Sequence, residues 1–383
     1  MDFHLSDEER GIQAAIRELA AREFAPRARA YDESGEFPWS NFRALADGGY
    51  LGMTLPSRYG GAESSFLAFM LCLEEVSRAC AVTGTIFEVH NSLHCEPIER
   101  FGTQAQKERF LPSLVRGEKL GAYCLTEPNS GSDAGAMQSL ATPVDGGYRI
   151  RGQKSFITNG GVADEYIVFA RTNPDPNRRA ISAFIVDKGT VGLSFGAPER
   201  KMGLRASHTT QVYLDDVFVE EDRLLGERDH GMRVALATLD VGRIGIAAQA
   251  VGISQAALDR ASAYALERRQ FGRPIAEFEA IQWILAEMAT DLEAARWMVY
   301  RAAWLHGEGV RATQEIAQAK LFASTMANTH VPRALRVLGG YGFLADYDME
   351  RYVRDVKVTE IYEGTSEIMK LLIARNLLEQ ARR

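Results

Sequence analysis

Residues 361–367, with the sequence IYEGTSE, contain a carboxylate that could act as a general base. Glu363 lies between a tyrosine and a glycine, two residues before Thr365, which is a good N-cap. Glu367 suits the electropositive first turn of the helix that follows. That helix is predicted by apolar residues at helical spacing, namely Ile368, Leu371 and Leu372. The local sequence leaves two interpretations of Glu363 open: a solvated carboxylate, or a base whose pKa rises when the apolar surface of a ligand covers it.

A second loop, residues 125–135 with the sequence LTEPNSGSDAG, is rich in hydroxyl groups and small residues. It stands where the predicted strands begin. Such a loop can bring several N–H and O–H donors against an anion or a heteroaromatic ring. An ordinary polar connection would have the same composition, so both interpretations stay open on these residues alone.

Standard catalytic motifs are missing from the sequence, which has no P-loop, no G-x-S-x-G elbow and no H-E-x-x-H. Residues 307–312, GEGVRA, match a dinucleotide-binding fingerprint in form, but they follow a predicted helix and are predicted to be a turn between helices. His90, His94 and Cys95 lack further ligands at a metal-site spacing, so no metal is expected. Buried thiols in a reducing compartment are expected for Cys72, Cys80, Cys95 and Cys124.

Hydrophobic periodicity divides the chain into three stretches, which predict an α+β multidomain fold. Residues 1–120 are expected to form an N-terminal all-α domain, residues 121–228 a central β domain and residues 229–383 a C-terminal helical bundle. Ser6 and Glu9 predict a capping box at the start of the first helix. Further helices are predicted at 39–47, 66–80, 109–116 with Pro112 near its start, 232–269, 276–306, 311–338 and from 366. Strands are predicted at 148–151, 166–170, 181–186 and 210–214, with a hairpin turn at Asp145-Gly146.

Composition excludes several classes of protein. The 383 residues include 44 Lys and Arg against 51 Asp and Glu, a formal net charge of −7, and 46% are hydrophobic. An acidic chain without a basic cluster is not expected to bind nucleic acid as its main partner. The acidic N-terminus does not resemble a secretory signal, and polar residues interrupt the most apolar stretch, 244–258, so no membrane span is expected. The expected location is the cytoplasm, or an organelle matrix if a transit segment was removed.

Six segments, in order along the whole chain, resemble the acyl-CoA dehydrogenase family. They are YCLTEPNSGSDAG at 123–135, SFITNGG at 155–161, TLDVGRIGIAAQAVG at 238–252, ERRQFGRPI at 267–275, VLGGYGF at 337–343 and RDVKVTEIYEGTSEI at 354–368. The resemblance implies a helical domain, a central β domain and a C-terminal four-helix bundle, assembled as a homotetramer. It also implies FAD held between the β domain and the bundle, an acyl-CoA substrate, and an electron-transferring flavoprotein as electron acceptor.

The resemblance assigns site residues one by one. In the β domain, contact with FAD is implied for Tyr123, Leu125, Thr126, Gly131, Ser132, Phe156, Ile157 and Thr158, the last of these at the reactive flavin nitrogen. Segments that reach the FAD of a neighbouring subunit are matched by Arg268, Phe271, Val337, Leu338, Gly339 and Gly340. The last flavin contacts are matched by Thr365, Ser366 and Glu367. Substrate contact is implied for Ser132, Asp240, Val241, Gly242, Arg243, Tyr362 and Gly364.

The implied reaction is the α,β-dehydrogenation of an acyl-CoA thioester to the trans-2-enoyl-CoA. Glu363 would take the pro-R α-proton as a hydride leaves the β-carbon for the flavin. The backbone N–H of Glu363 and a ribityl hydroxyl of FAD would polarise the thioester carbonyl. In isovaleryl- and long-chain-type relatives the base instead comes from the first bundle helix, at the position of Gly242. Because glycine cannot act as a base, the chain resembles the short-chain, butyryl-CoA type, with a short or short branched acyl group.

Three positions depart from the family pattern. Phe156 replaces the usual Trp beside the flavin, while Arg336 and Glu279 each replace a Gln near the FAD tail. One hypothesis is that the two new charges pair across the subunit contact. For Arg243, a structural salt bridge is as good an interpretation as substrate contact. The acyl pocket is predicted to be lined by Leu93, Glu96 and Ile98.

Other functions occur on the same fold. The leading alternative is a flavin-dependent oxidase or monooxygenase, in which the reduced flavin reacts with oxygen. A DNA-binding relative would be expected to show a basic face, and the net acidic charge argues against it. Retention of Glu363 and of the flavin loops argues against a non-catalytic acyl-CoA-binding protein.

Overall fold

Helices at both ends of the chain enclose a β domain in the computed structural model, which describes residues 4–175 and 180–382. The N-terminal helices are α1 (Asp7–Leu19), α2 (Ala28–Ser34), α3 (Trp39–Asp47), α4 (Phe66–Ala79), α5 (Ala81–Glu88), α6 (Glu96–Phe101) and α7 (Gln104–Val115). The predicted capping box of Ser6 and Glu9 is confirmed at the start of α1. Every residue of α5 is buried, as is the π-helical segment Val89–Cys95 that continues it.

The prediction for α7 was wrong at its start. The helix begins at Gln104 because Thr103 and Gln106 form a capping box there, which the sequence prediction overlooked. Pro112 therefore lies in the C-terminal half of the helix rather than near its start.

The β domain is built on one eight-stranded sheet. The strands are β1 (Gly121–Cys124), β2 (Leu140–Val144), β3 (Gly147–Thr158), β4 (Glu165–Arg171), β5 (Ile181–Asp187), β6 (Leu193–Phe195), β7 (Thr209–Glu220) and β8 (Leu224–Leu225). They pair in the order β6-β7-β3-β2-β4-β5-β8, and β1 runs parallel to β4. The predicted hairpin at Asp145-Gly146 is confirmed, since Val144 pairs with Gly147 across it. Large aromatic side chains on the central strands are fully buried, namely Tyr166 and Phe169 on β4 and Phe184 on β5.

Long helices pack together in the C-terminal part. They are α8 (Gly231–Glu267), α9 (Glu279–Gly307), α10 (Thr313–Leu338), α11 (Met349–Val356) and α12 (Ser366–Gln380), with a short hairpin of β9 (Arg269–Gln270) and β10 (Arg273–Pro274) after α8. The four longest form the bundle, and α8 also packs on α4 and α5. By length and composition α8 is apolar enough to cross a membrane, but 78% of its most apolar window is buried inside the protein, as in a core helix.

Candidate active site

Glu363 lies in a left-handed turn between the helical segment Lys357–Glu360 and α12. Glu363 has φ +53° and Gly364 has φ +108°. A non-glycine residue in this region is uncommon and often marks a functional position. The prediction that Thr365 caps α12 is confirmed, because its side chain accepts from the N–H of Ile368. The carboxyl of Glu363 is directed inward, and its Oε2 atom is buried without a hydrogen-bond partner among the residues that the structure describes.

The carboxyl of Glu363 packs against α8 and faces a second carboxyl, that of Glu88 at the end of α5. Gly242 and Gly245, one turn apart on α8, leave the space for these two groups. A side chain on Gly242 would collide with Glu363, and one on Gly245 would collide with Glu88. Leu93 covers the same part of Gly242. The two carboxyls therefore lie next to each other where α5 packs against the first bundle helix.

The pKa values of Glu88 and Glu363 are both raised by burial. Burial, together with the negative charge of Glu363, raises the pKa of Glu88 well above its usual value. Burial also raises the pKa of Glu363 to about 7, although a hydrogen bond from Glu88 and the positive charges of Lys320 and Arg243 act in the opposite direction. Because two carboxylates this close do not ionise together, we infer that Glu88 holds the proton and donates it to ionised Glu363. Glu363 is then the member of the pair that exchanges protons near pH 7.

Two cations from the bundle hold the backbone of this turn. Nε of Arg243 on α8 donates to the carbonyl of Glu363 at 3.1 Å. Nζ of Lys320 on α10 donates to the carbonyl of Gly364 at 2.6 Å. Arg243 also forms a salt bridge of 2.7 Å with Asp240. The salt bridge expected for Arg243 is therefore present, the same side chain touches the turn that carries Glu363, and its contact with substrate stays a prediction.

The backbone N–H of Glu363 is available to a ligand, since it has no hydrogen-bond acceptor within residues 4–175 and 180–382. The neighbouring Tyr362 is fixed on the other side of the turn. Its hydroxyl donates to the side-chain oxygen of Gln249 on α8, and the amide nitrogen of Gln249 donates to the carbonyl of Ala81 at 2.9 Å. The turn is thus tied to the core through its carbonyls and through Tyr362, while the N–H of Glu363 has no acceptor in the described chain.

The flavin contacts expected in the β domain differ in exposure. Tyr123 and Leu125 are buried, and the hydroxyl of Tyr123 donates to the carbonyl of Ala235 at 3.4 Å. Phe156 lies in a bulge of β3 with φ +58° and is 67% exposed, whereas Ile157 after it is buried. The other members of the set are partly or fully exposed: Thr126, Gly131, Ser132 and Thr158. Phe156 therefore presents an aromatic surface that no part of its own described chain covers.

A buried ion pair shapes the loop that contains residues 125–135. Nζ of Lys154 on β3 donates to Glu127 at 2.7 Å and to the carbonyl of Leu125 at 3.2 Å. Glu127 in turn accepts from the backbone N–H groups of Gln138 at 2.5 Å and Ser139 at 3.0 Å. An ordinary polar connection would not need a buried charge at its centre. The loop is therefore held in one shape around Lys154.

A separate cavity of about 520 Å³ lies where α8 and α10 end. It is lined by Tyr264, Arg268, Gln270, Ile275, Val337, Leu338, Gly339, Gly340, Tyr341 and Leu344. The cavity brings Arg268 together with residues 337–340, and its lining contains none of the residues around Glu363. Phe271 is outside the lining and is 93% exposed. Within one chain, the expected FAD contacts therefore form two separate sets.

The chemistry of these residues fits FAD. The hydroxyl of Ser366, in the first turn of α12, is buried without a partner in the described part of the chain. Gly339 and Gly340 have open space where a side chain would stand, so a ligand can approach their backbone. An exposed aromatic ring, an unpaired hydroxyl and open glycine backbone suit an aromatic dinucleotide. The described residues contain no group of three or more His, Cys, Asp or Glu side chains that could hold a metal.

Glu88 and Lys320 were missed by the sequence analysis. Glu88 is an acid inside an otherwise apolar run, AVTGTIFEVH, and Lys320 interrupts the apolar face of α10. A charged residue at a position where the pattern demands an apolar one is the signal that could have identified both.

Comparisons with known proteins cover the whole chain. Family models match at residues 6–118 (acyl-CoA dehydrogenase, N-terminal domain), 122–217 (middle domain) and 229–378 (C-terminal domain). An acyl-CoA dehydrogenase of Bacillus subtilis is 46% identical over 376 residues, which are 98% of this chain and 99% of the relative. A short-chain specific acyl-CoA dehydrogenase of Clostridium acetobutylicum is 44% identical over 374 residues, with 98% and 99% covered.

Comparison of the three-dimensional structure identifies the same family. The structure of butyryl-CoA dehydrogenase from Megasphaera elsdenii matches with a TM-score of 0.96 and 41% identity, over 99% of this chain and 100% of that one. The expected order of a helical, a β and a second helical domain is confirmed. The chain therefore belongs to the acyl-CoA dehydrogenase family of FAD-dependent oxidoreductases.

Proposed function

We propose that this protein catalyses the α,β-dehydrogenation of a short-chain acyl-CoA thioester, with Glu363 as the base and the trans-2-enoyl-CoA as product. The observation that carries the proposal is the inward-facing carboxyl of Glu363, whose pKa burial raises to about 7. A general base is most effective when its pKa is near the working pH. The chain-length class is supported by the names of the relatives from Clostridium acetobutylicum and Megasphaera elsdenii.

In this reaction Glu363 takes the α-proton, the electron pair of that C–H bond forms the new double bond, and a hydride leaves the β-carbon. FAD, when bound, accepts that hydride. The free N–H of Glu363 donates to the thioester oxygen as negative charge develops on it. Loss of one such donor typically costs ~10²–10³ in turnover. Phe156 and the hydroxyl of Ser366 are the residues of the described chain best placed to hold the cofactor.

The test is an anaerobic titration of the purified, FAD-loaded protein with straight and branched acyl-CoAs from C4 to C16, beside Glu363→Gln. We expect a short acyl-CoA to bleach the flavin of the wild type and to leave that of the variant oxidised. A flavin that no acyl-CoA reduces would overturn the proposal and favour the oxidase or monooxygenase alternative. The physiological acceptor is proposed to be an electron-transferring flavoprotein, which the same assay tests by reoxidation of the bleached protein.

We also propose that the FAD site of each subunit is completed by a neighbouring copy of the chain in a homotetramer. Support comes from large apolar side chains exposed on the bundle and on the adjoining hairpin: Leu266, Phe271, Trp283, Trp304 and Phe343. Sedimentation of Phe271→Ser should show smaller particles that lose FAD, whereas Val191→Ser, which changes an exposed residue of the β domain, should behave as wild type. Tetrameric, FAD-loaded Phe271→Ser would remove Phe271 from this proposal.

The charges at Glu279 and Arg336 belong to the same proposal. Both side chains are exposed, and the described part of the chain contains no ion pair between them. Pairing across the subunit contact would appear as a coupling energy in a double-mutant cycle on tetramer stability. Additive effects of Glu279→Gln and Arg336→Gln would contradict it.

A further inference from the structure

Lys320 is a fully buried ammonium group to which nothing in the sequence pattern assigns a role. It lies on α10, its exposed fraction is zero, and Nζ donates to the carbonyl of Gly364 at 2.6 Å. The described residues provide no carboxylate within 4.0 Å of it, so no direct ion pair offsets its burial. Lysine is rarely buried in this way unless it is paired. Because burying this charge costs stability, we expect Lys320 to have a role at the Gly364 carbonyl, to which it donates.

The turn that Lys320 holds is one that needs external support. Glu363 has φ +53°, which an L-residue reaches only at a cost of roughly 1–2 kcal/mol. Gly364 has φ +108°, a conformation that residues with a side chain rarely adopt, and a Cβ atom there would also lie 2.7 Å from Cε of Met369. The carbonyls of these two residues are held by Arg243 and Lys320, which come from two different helices. Two anchors from separate helices fix both the position and the rotation of the turn.

We propose that Lys320 is a positioning residue for the base: by holding the Gly364 carbonyl, its ammonium group keeps the turn in the shape that places the Glu363 carboxyl over Gly242 and leaves the Glu363 N–H free for the thioester. The inference rests on the proposed function. It assigns Lys320 no contact with substrate or cofactor. The same positive charge favours the ionised form of Glu363.

The charged groups around Glu363 come from several elements. Glu88 faces it from α5, Arg243 and its partner Asp240 from α8, and Lys320 from α10. Around Lys320 itself the further charges are Glu360 and Glu367 on the two sides of the turn. With Lys320 neutralised, burial and Glu88 remain while one of the two nearby cations is lost. We therefore expect the pKa of Glu363 to rise.

The experiment compares Lys320→Met with Lys201→Met. Lys201 is a matched control, because its Nζ also donates to a backbone carbonyl, that of Ser207 at 2.7 Å, within the β domain. The rate of flavin reduction by a short acyl-CoA is measured anaerobically in single turnovers from pH 6 to 9. In addition, the carboxyl of Glu363 is titrated by 13C NMR in protein labelled at the Glu δ-carbon, with Glu363→Gln to assign the signal.

For Lys320→Met we expect the midpoint of both titrations to rise by about one pH unit, which at pH 7 lowers the ionised fraction of Glu363 about fivefold. Lys320→Arg keeps the charge and should show little of this shift, and Lys201→Met should show none. Unmoved midpoints in Lys320→Met, whatever its stability, would overturn the inference. Lys320→Gln, which keeps a donor and loses the charge, is measured in the same way if the methionine variant does not fold. A wild type that no acyl-CoA reduces would instead overturn the proposed function.

Discussion

A Cβ atom on Gly242 would lie 2.0 Å from Oε2 of Glu363. The first bundle helix therefore carries no side chain at the one point where the base from the other end of the chain needs space. Relatives that place the base on this helix would, by the resemblance, put its carboxyl in the same region. Gly242 therefore leaves room for the Glu363 carboxyl in its present position, and a side chain at 242 would force that carboxyl to move.

Gly242→Ala should therefore damage catalysis more than stability. The methyl group displaces the Glu363 carboxyl, so we expect the rate of flavin reduction to fall at least a hundredfold. The matched control on the same helix is Gly252→Ala, whose Cβ would lie 2.3 Å from the carbonyl oxygen of Glu74 and which should lower the unfolding midpoint without changing the pH profile of reduction. Normal turnover in Gly242→Ala would contradict the placement of the base.

Glu88 should act on Glu363 through its proton. Glu88→Gln keeps a hydrogen-bond donor, so the midpoint pH of flavin reduction should stay near 7. Glu88→Leu removes the donor, and because a hydrogen bond to a charged group is worth about 1.5–3 kcal/mol, the midpoint should rise by about 1–2 units. The pair of variants is compared in single-turnover reduction from pH 6 to 9. Equal shifts in the two would indicate that packing, rather than the proton, is the cause.

The long helices could be predicted because their pattern is strong. The sequence analysis placed both ends of α8, α9 and α10 within three residues, because these helices run over many turns and are joined by short connections. It missed α5, whose residues are all buried. A helix enclosed on every side has no polar face and hence no period. β2 was missed because it also lacks a regular alternation of apolar and polar residues: three of its five residues are exposed, and it contains Pro143.

Within the candidate site, local sequence was informative about caps and turns but not about partners. Thr365 could be recognised as a cap from its neighbours in the chain. The approach of Glu88 to Glu363 spans 275 positions in sequence and depends on the packing of α5 against α8, which no local pattern specifies. The same holds for Lys320 and Gly364. Long-range electrostatic contacts of this kind require the fold.

Glu96 should make the protein less stable as pH rises. Burial raises its pKa to about 7, with Arg100 at 3.5 Å acting in the opposite direction. Between pH 4.5 and 7 the folded protein keeps a proton that the unfolded chain has released, so the free energy of unfolding falls as pH increases. The loss is at most about 3 kcal/mol, because the side chain keeps 18% of its surface exposed.

Glu96→Gln should therefore gain stability relative to wild type at pH 8 and little at pH 5, as measured by urea unfolding at both values. Glu108→Gln on α7, an exposed carboxyl that does not act on Glu96, serves as the control and should leave the pH slope as in wild type. An unchanged slope in Glu96→Gln would contradict a buried, protonated Glu96.

Lys154 should control FAD binding through the loop that it holds. Burial alone would raise the pKa of Glu127, but Lys154 and the N–H groups of Gln138 and Ser139 bring that pKa below its usual value, so the buried pair is ionised. Lys154→Met leaves Glu127 buried and unpaired, which typically costs about 3–5 kcal/mol. We expect FAD to bind at least tenfold more weakly to the deflavinated protein, as followed by quenching of flavin fluorescence.

In the double variant Lys154→Met/Glu127→Gln, which removes the unpaired charge, stability should recover while FAD affinity stays low, because the loop still lacks its anchor at the carbonyl of Leu125. Wild-type affinity in Lys154→Met would show that the loop keeps its shape without the pair.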